Sequence, residues 1–134
     1  MAEKSYIVCL DTSVLIDYYR KKDKSKSLFY KLTKEYSLFA VSAITEYEIY
    51  SGSNPEQDKF WDDFFKLILV LPFDSEVNKI AVKVARELKA KNKSIEIPDL
   101  FIASTALKNK VMLATLNKKH FERVLGLELL TDNA

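Results

Sequence analysis

Three acidic residues stand where an apolar stretch hands over to a helix: Asp11 after Tyr6-Ile7-Val8-Cys9-Leu10, Glu48 one turn into the segment following Leu38-Phe39-Ala40-Val41, and Asp99 after Ile97-Pro98. In an open α/β sheet, ligands collect outside the carboxyl ends of the strands, so acids at such junctions can share one site. Gathered carboxylates repel unless a cation neutralises them. A hard divalent metal and metal-assisted phosphodiester chemistry are therefore the leading expectation. Each acid also has an innocent reading. Asp11 can cap a helix, Asp99 can offset a helix dipole, and Glu48 can pair with a lysine. Glu46 falls on a different side of its helix from Glu48. Thr115-Leu116-Asn117 puts a hydroxyl and an amide at another strand end, and His120 reads as a surface or capping residue.

The elements that must position these groups follow from hydrophobic periodicity. Strands are predicted over 6–10, 38–41, 69–71, 111–115 and 128–130. The first is a continuous apolar run, the pattern of a strand buried on both faces. Helices are predicted after Asp11, over about 25–36, after Ser42, from the Asn54-Pro55 start to about Leu67, after Asp74, and from Asp99 to about Lys108. In the Asp74 helix Val77, Ile80, Ala81, Val84, Ala85 and Leu88 keep helical spacing. Short apolar strands alternating with longer helices predict an α/β fold, a three-layer α/β/α sandwich with a central, mostly parallel sheet. No repeat or long linker divides the chain, which reads as a single domain over 1–134.

Composition removes several rival chemistries. The chain has 134 residues, 48 % hydrophobic and 30 % charged, which suits a soluble globular protein. No apolar run approaches the ~20 residues of a membrane span, and the N-terminus lacks the order of a signal peptide. With Cys9 the only cysteine, a disulfide framework or cysteine metal cluster is excluded, and a reduced cytoplasmic setting is expected. Two glycines, Gly52 and Gly126, cannot build a dinucleotide or Walker phosphate loop. The single histidine makes a His-based zinc site or a Ser-His-Asp triad improbable. The net charge of +2 does not by itself announce a polyanion partner.

Four blocks then resemble the PIN-domain family, especially VapC-type toxins of prokaryotic toxin–antitoxin pairs. They are Asp-Thr-Ser-Val-Leu-Ile-Asp at 11–17, Ser-Ala-Ile-Thr-Glu-Tyr-Glu-Ile-Tyr-Ser-Gly at 42–52, Ile-Pro-Asp-Leu-Phe-Ile-Ala-Ser-Thr-Ala-Leu at 97–107, and Thr-Leu-Asn-Lys-Lys-His-Phe-Glu-Arg-Val-Leu-Gly-Leu at 115–127. The resemblance implies a Mg²⁺ or Mn²⁺ endoribonuclease that leaves 5′-phosphate and 3′-hydroxyl ends. It also implies a homodimer neutralised by a VapB-like antitoxin. It places Asp11, Asp99 and Glu48 at the metal, with Ser13 and Thr115 orienting the acids. Asn117 stands in the last block, where many relatives carry a fourth acid, which bears on a second metal. Lys21, Lys22, Lys118, Lys119 and Arg123 are candidate phosphate contacts. Two alternatives are a DNA nuclease of the same fold and a degenerate domain that only binds RNA or protein.

Overall fold

Val8, Cys9 and Leu10 have no solvent exposure because β1 (Lys4–Leu10) is the middle strand of a sheet covered on both sides. The computed structural model describes residues 4–132. Among them, β1 joins β2 (Tyr36–Ser42), β3 (Leu69–Leu71), β4 (Met112–Ala114) and β5 (Leu129–Leu130) in one sheet of order β3-β2-β1-β4-β5. Every pairing is parallel. The chain builds outward from β1 through β2 to β3, then crosses back to lay β4 on the other side of β1. The strand order therefore reverses between β1 and β4, the place where open α/β sheets bind ligands.

Side chains alternate across the sheet, as a strand's period of two requires. Val8, Leu10 and Ala114 face α1 (Thr12–Arg20), α2 (Leu28–Leu32) and α4 (Pro55–Phe65), in a core that includes Val14, Leu28, Trp61 and Phe64. Cys9 and Leu113 face α5 (Ser75–Ala90), α6 (Ile97–Asn109) and α7 (Lys118–Phe121), packing with Ala81, Val84, Leu88, Ile102 and Phe121. From α3 (Ala43–Ser51), Ile49 enters the first core and Ile44 packs against the second. The first core is dominated by rings: Tyr18 meets Phe29 edge-on at 5.0 Å, and Phe60 meets Trp61 at 4.9 Å. Each fully buried side chain of this size stabilises the fold by roughly 1.5–3 kcal/mol. The result is the predicted α/β/α sandwich. Among the described residues no helix is long and apolar enough to cross a membrane.

Several predicted boundaries move, each for a local reason. The helix predicted over 25–36 is a 3₁₀ turn, Lys24–Lys26, followed by the short α2. The buried Ser27 interrupts it, donating to the Lys24 carbonyl at 2.7 Å and accepting from the Tyr30 amide at 3.2 Å. Tyr36 passes into β2, where its backbone is in register with Lys4 of β1. The helix predicted to open at Asp99 begins two residues earlier, at Ile97, with Pro98 in the first turn. Asp99 therefore lies inside that turn, where it can offset the helix dipole as expected. The one-turn α7 was not foreseen, since four residues carry no periodicity.

Candidate functional site

Parallel pairing of Leu10 with Ala114 puts the next residue of each strand, Asp11 and Thr115, side by side at the carboxyl edge of the sheet. The Asp11 amide donates to the Ala114 carbonyl at 3.0 Å, and the Thr115 hydroxyl donates to Asp11 Oδ2 at 2.6 Å. Asp11 is 2 % exposed. Its Oδ1 accepts from the Ser13 hydroxyl at 2.5 Å and from the Val14 amide at 3.2 Å. Asp11 does cap α1, as its innocent reading required. Yet a cap needs one oxygen, and here both are held. Three donors serve roughly four lone-pair sites.

That carboxylate is out of electrostatic balance. Burial pushes the Asp11 carboxyl above its ordinary range, against the bonds from Ser13, Thr115 and Val14, and the negative charge of Asp99 adds to the push. Among the described residues no lysine or arginine forms an ion pair with Asp11, Glu48 or Asp99. Beneath it, burial raises the Cys9 thiol to about 12, with Asp11 contributing, so Cys9 is an inert core residue.

Glu48 is tied to the first junction from the neighbouring strand. The Thr12 hydroxyl, one residue beyond Asp11, donates to Glu48 Oε1 at 2.6 Å and lies 3.0 Å from the buried Thr45 hydroxyl. Glu46 serves another face of α3. It stands one turn before Tyr50, whose phenol is held above its ordinary value by burial, by a 2.6 Å bond to Asp62, and by the charges of Asp62 and Glu46. Asp99 Oδ2 stands 3.1 Å from His120 Nδ1. The histidine lies on the surface, as expected, and is also a neighbour of the third acid. Asn117 is exposed and caps α7 without a side-chain bond; its amide donates to Thr115 Oγ1 at 2.8 Å. Ser13 accepts from the Leu116 amide at 3.1 Å, which closes the loop after β4 onto α1.

The basic candidates separate into two groups. Lys21 and Lys22 follow the last turn of the nine-residue α1, roughly 15 Å along the helix from Asp11 at 1.5 Å per residue, and Lys21 is paired with Asp17 at 2.9 Å. They do not join the acids. Lys118, Lys119 and Arg123 flank His120 on the segment that does reach Asp99. Thr12, Thr45 and Arg20 escaped notice in the sequence. Arg20 lines two clefts, one bordered by Ser13 and the other by Glu48. The second threonine of the hydroxyl pair sits three residues before Glu48, a helical spacing that could have drawn attention to it.

Among the described residues no three His, Cys, Asp and Glu side chains stand close enough to form a ready-made cage for an ion. The oxygen donors instead suit an ion that keeps most of its own water, as Mg²⁺ does when one or two carboxylates hold it.

A family model described as PIN domain matches residues 8–127. Ribonuclease VapC1 of Methanocaldococcus jannaschii is 36 % identical over 118 residues, 87 % of this chain and 80 % of that protein. The solved structure of VapBC2 from Rickettsia felis, bound to a DNA fragment from their promoter, is 27 % identical and superposes with a TM-score of 0.81, covering 95 % of this chain and 99 % of that one. VapBC-1 from nontypeable Haemophilus influenzae is 26 % identical at a TM-score of 0.81, covering 93 % and 97 %.

Proposed function

The chain belongs to the PIN domain family, and from that premise we propose that it is an endoribonuclease, the toxin of a VapBC-type toxin–antitoxin pair. One observation carries the reading: a buried carboxylate, Asp11, at the switch point of the sheet, within reach of the charge of Asp99, with no lysine or arginine paired to either among the described residues. A ribonuclease relative at 36 % identity and VapBC complexes among the structural neighbours support it. A VapB-like antitoxin, a homodimer and a cytoplasmic setting belong to the same proposal.

Asp11 and Asp99 would hold Mg²⁺ or Mn²⁺, with Glu48 acting through water. When bound, such an ion lowers the pKa of its water and offsets charge on the phosphoryl oxygens. The chain's own residues supply position. Ser13, Thr115 and the Val14 amide hold Asp11 in one rotamer. Thr12 holds Glu48 by Oε1, which leaves Oε2 to accept a proton from the attacking water. His120 steadies Asp99 at Oδ2. Water adds to phosphorus as the P–O3′ bond breaks and the departing O3′ takes a proton from solvent, which yields 5′-phosphate and 3′-hydroxyl ends.

The test is cleavage of matched RNA and DNA oligonucleotides with Mg²⁺, Mn²⁺ or EDTA. RNA cut only with metal, and by neither Asp11→Asn nor Asp99→Asn, is the expected result. Near-wild-type turnover by either variant would remove the assignment, and equal cutting of DNA would change the substrate.

A further inference from the structure

We propose that the cleft between residues 91–96 and α7, carrying Lys93, Lys119 and Arg123, is a phosphate-binding subsite that seats the RNA strand as it leaves the acidic cluster. The inference rests on the ribonuclease reading and gives the strand a direction. The cleft has a volume of about 510 Å³ and is lined by Asn92, Lys93, Lys119, Glu122 and Arg123. That is within the range of pockets that hold a small ligand, and a single nucleotide is of that order. Three cations oppose one carboxylate there. Among the described residues none of the three is in an ion pair. Some lysines elsewhere are answered, Lys21 by Asp17, Lys31 by Asp132 and Lys108 by Asp74, whereas the three cations here gather in one cleft. Clustered like charges without counter-charge attract a polyanion.

Two features preorganise the cleft. Arg123 donates to the Ser94 carbonyl at 3.2 Å, which ties α7's following turn to the loop before α6. The loop itself is fixed by the end of α5. Asn92 is left-handed at φ 57°, its amide donates to the Lys89 carbonyl at 3.0 Å, and the Lys93 amide donates to the Leu88 carbonyl at 2.9 Å. This is a Schellman closure with asparagine in the position glycine usually takes. Lys93 therefore projects from a fixed turn.

The cleft is linked to the third acid through α7. Lys119 and Arg123 bracket His120, whose ring meets Asp99. Another cleft beside Asp11 runs along α1 past Ser13, Asp17, Arg20 and Lys21. There Asp17 adds negative charge and already holds Lys21, so the α7 side is the more favourable path for a phosphate backbone.

The test measures binding of a fluorescent single-stranded RNA by the full chain in an Asp11→Asn background with EDTA, so neither cutting nor metal enters. K93E/K119E should raise Kd at least tenfold at 50 mM salt. It should also lower the slope of log K against log salt by about 1.4, at about 0.7 per phosphate contact for a single strand. K79E/K83E, the same charge change on exposed positions of α5, should do far less. Arg123→Ala should follow the cleft pair, and Arg123→Lys, which keeps the charge, guards against loss of the loop contact. Equal effects of the two double variants would reduce the cleft to net charge and overturn the proposal. So would unchanged RNA affinity with weakened binding of an acidic partner protein, which would make the cleft a protein-docking site. If the unmutated chain cuts RNA while the cleft variants bind normally, only the subsite fails. If it cuts nothing while binding depends on the cleft, only the nuclease reading fails.

Discussion

Replacing Asp11 with asparagine separates charge from shape at the centre of the site. Asparagine caps a helix about as well as aspartate. Its Oδ1 can still accept from Ser13 and Val14, and its Nδ2 can donate to Thr115 Oγ1, a hydroxyl with two lone pairs. What disappears is a negative charge that is 2 % exposed and faces Asp99. The folded-state pKa of Asp11 is raised, so its contribution to stability is fully present at pH values below the unfolded pKa. It is lost as pH rises through the folded pKa. Above that pH the metal-free protein carries an ionised, under-compensated carboxylate. With one lone-pair site unfilled, the penalty is on the order of 1–2 kcal/mol. A domain of this size shifts by about 3–5 °C per kcal/mol, so Asp11→Asn should melt about 5 °C higher than the unmutated chain in EDTA once pH exceeds that folded pKa.

Adding Mg²⁺ should reverse the order. An ion that binds only the folded state stabilises by about 2.7 kcal/mol at one hundred times its Kd, or about 10 °C here, and Asp11→Asn should gain little of it. Differential scanning calorimetry with and without metal reads both effects. Repeating the EDTA scan while lowering pH through the raised carboxyl pKa should close the gap, because the native side chain then becomes neutral too. A lower melting temperature for Asp11→Asn in EDTA, or the same Mg²⁺ shift in both proteins, would mean that Asp11 is only a cap.

Other expectations follow from single contacts. Glu48→Gln should cut RNA turnover at least a hundredfold while Glu46→Gln changes it less than threefold, since only Glu48 receives the Thr12 bond; equal losses in steady-state assays would undo that choice of acid. His120→Ala should lower kcat about tenfold with little change in KM, the usual scale for a residue that orients a ligating side chain. Partial recovery in His120→Asn, whose amide can reach Asp99, would mark a positioning role, and full activity in the alanine variant would make the contact incidental. Cys9, with its thiol raised to about 12 by burial, should resist iodoacetamide in the native protein and react on denaturation. Fast native labelling followed by mass spectrometry would contradict the buried β1.

Much of this architecture was legible because its signals are local and redundant. A continuous apolar run marks β1, helical spacing marks α5, and Asn54, Asp74 and Ser42 cap the helices they precede at 2.9, 3.0 and 2.8 Å. Acids at element junctions were legible for the same reason, since a strand's carboxyl end is a place that topology reuses. Geometry that depends on register was not. Thr12 reaches Glu48 across 36 residues, and Thr115 reaches Asp11 across 104; neither separation follows from a period. His120 was underrated because α7 is one turn long and its direction is set by packing Phe121, which is wholly buried. Once Phe121 anchors that turn against α6, the preceding residue is carried to Asp99. A neutral Asn117 in the closing block then reads differently. Its side chain caps nothing, while His120, three residues on, meets the third acid, so the closing block reaches Asp99 through a ring nitrogen rather than through a fourth carboxylate. With Asn117 neutral, the proposed site would have three negative charges instead of four, which favours one ion over two. Metal titration of the chain by calorimetry should accordingly give a stoichiometry near one, and two tight sites per chain would refute the inference.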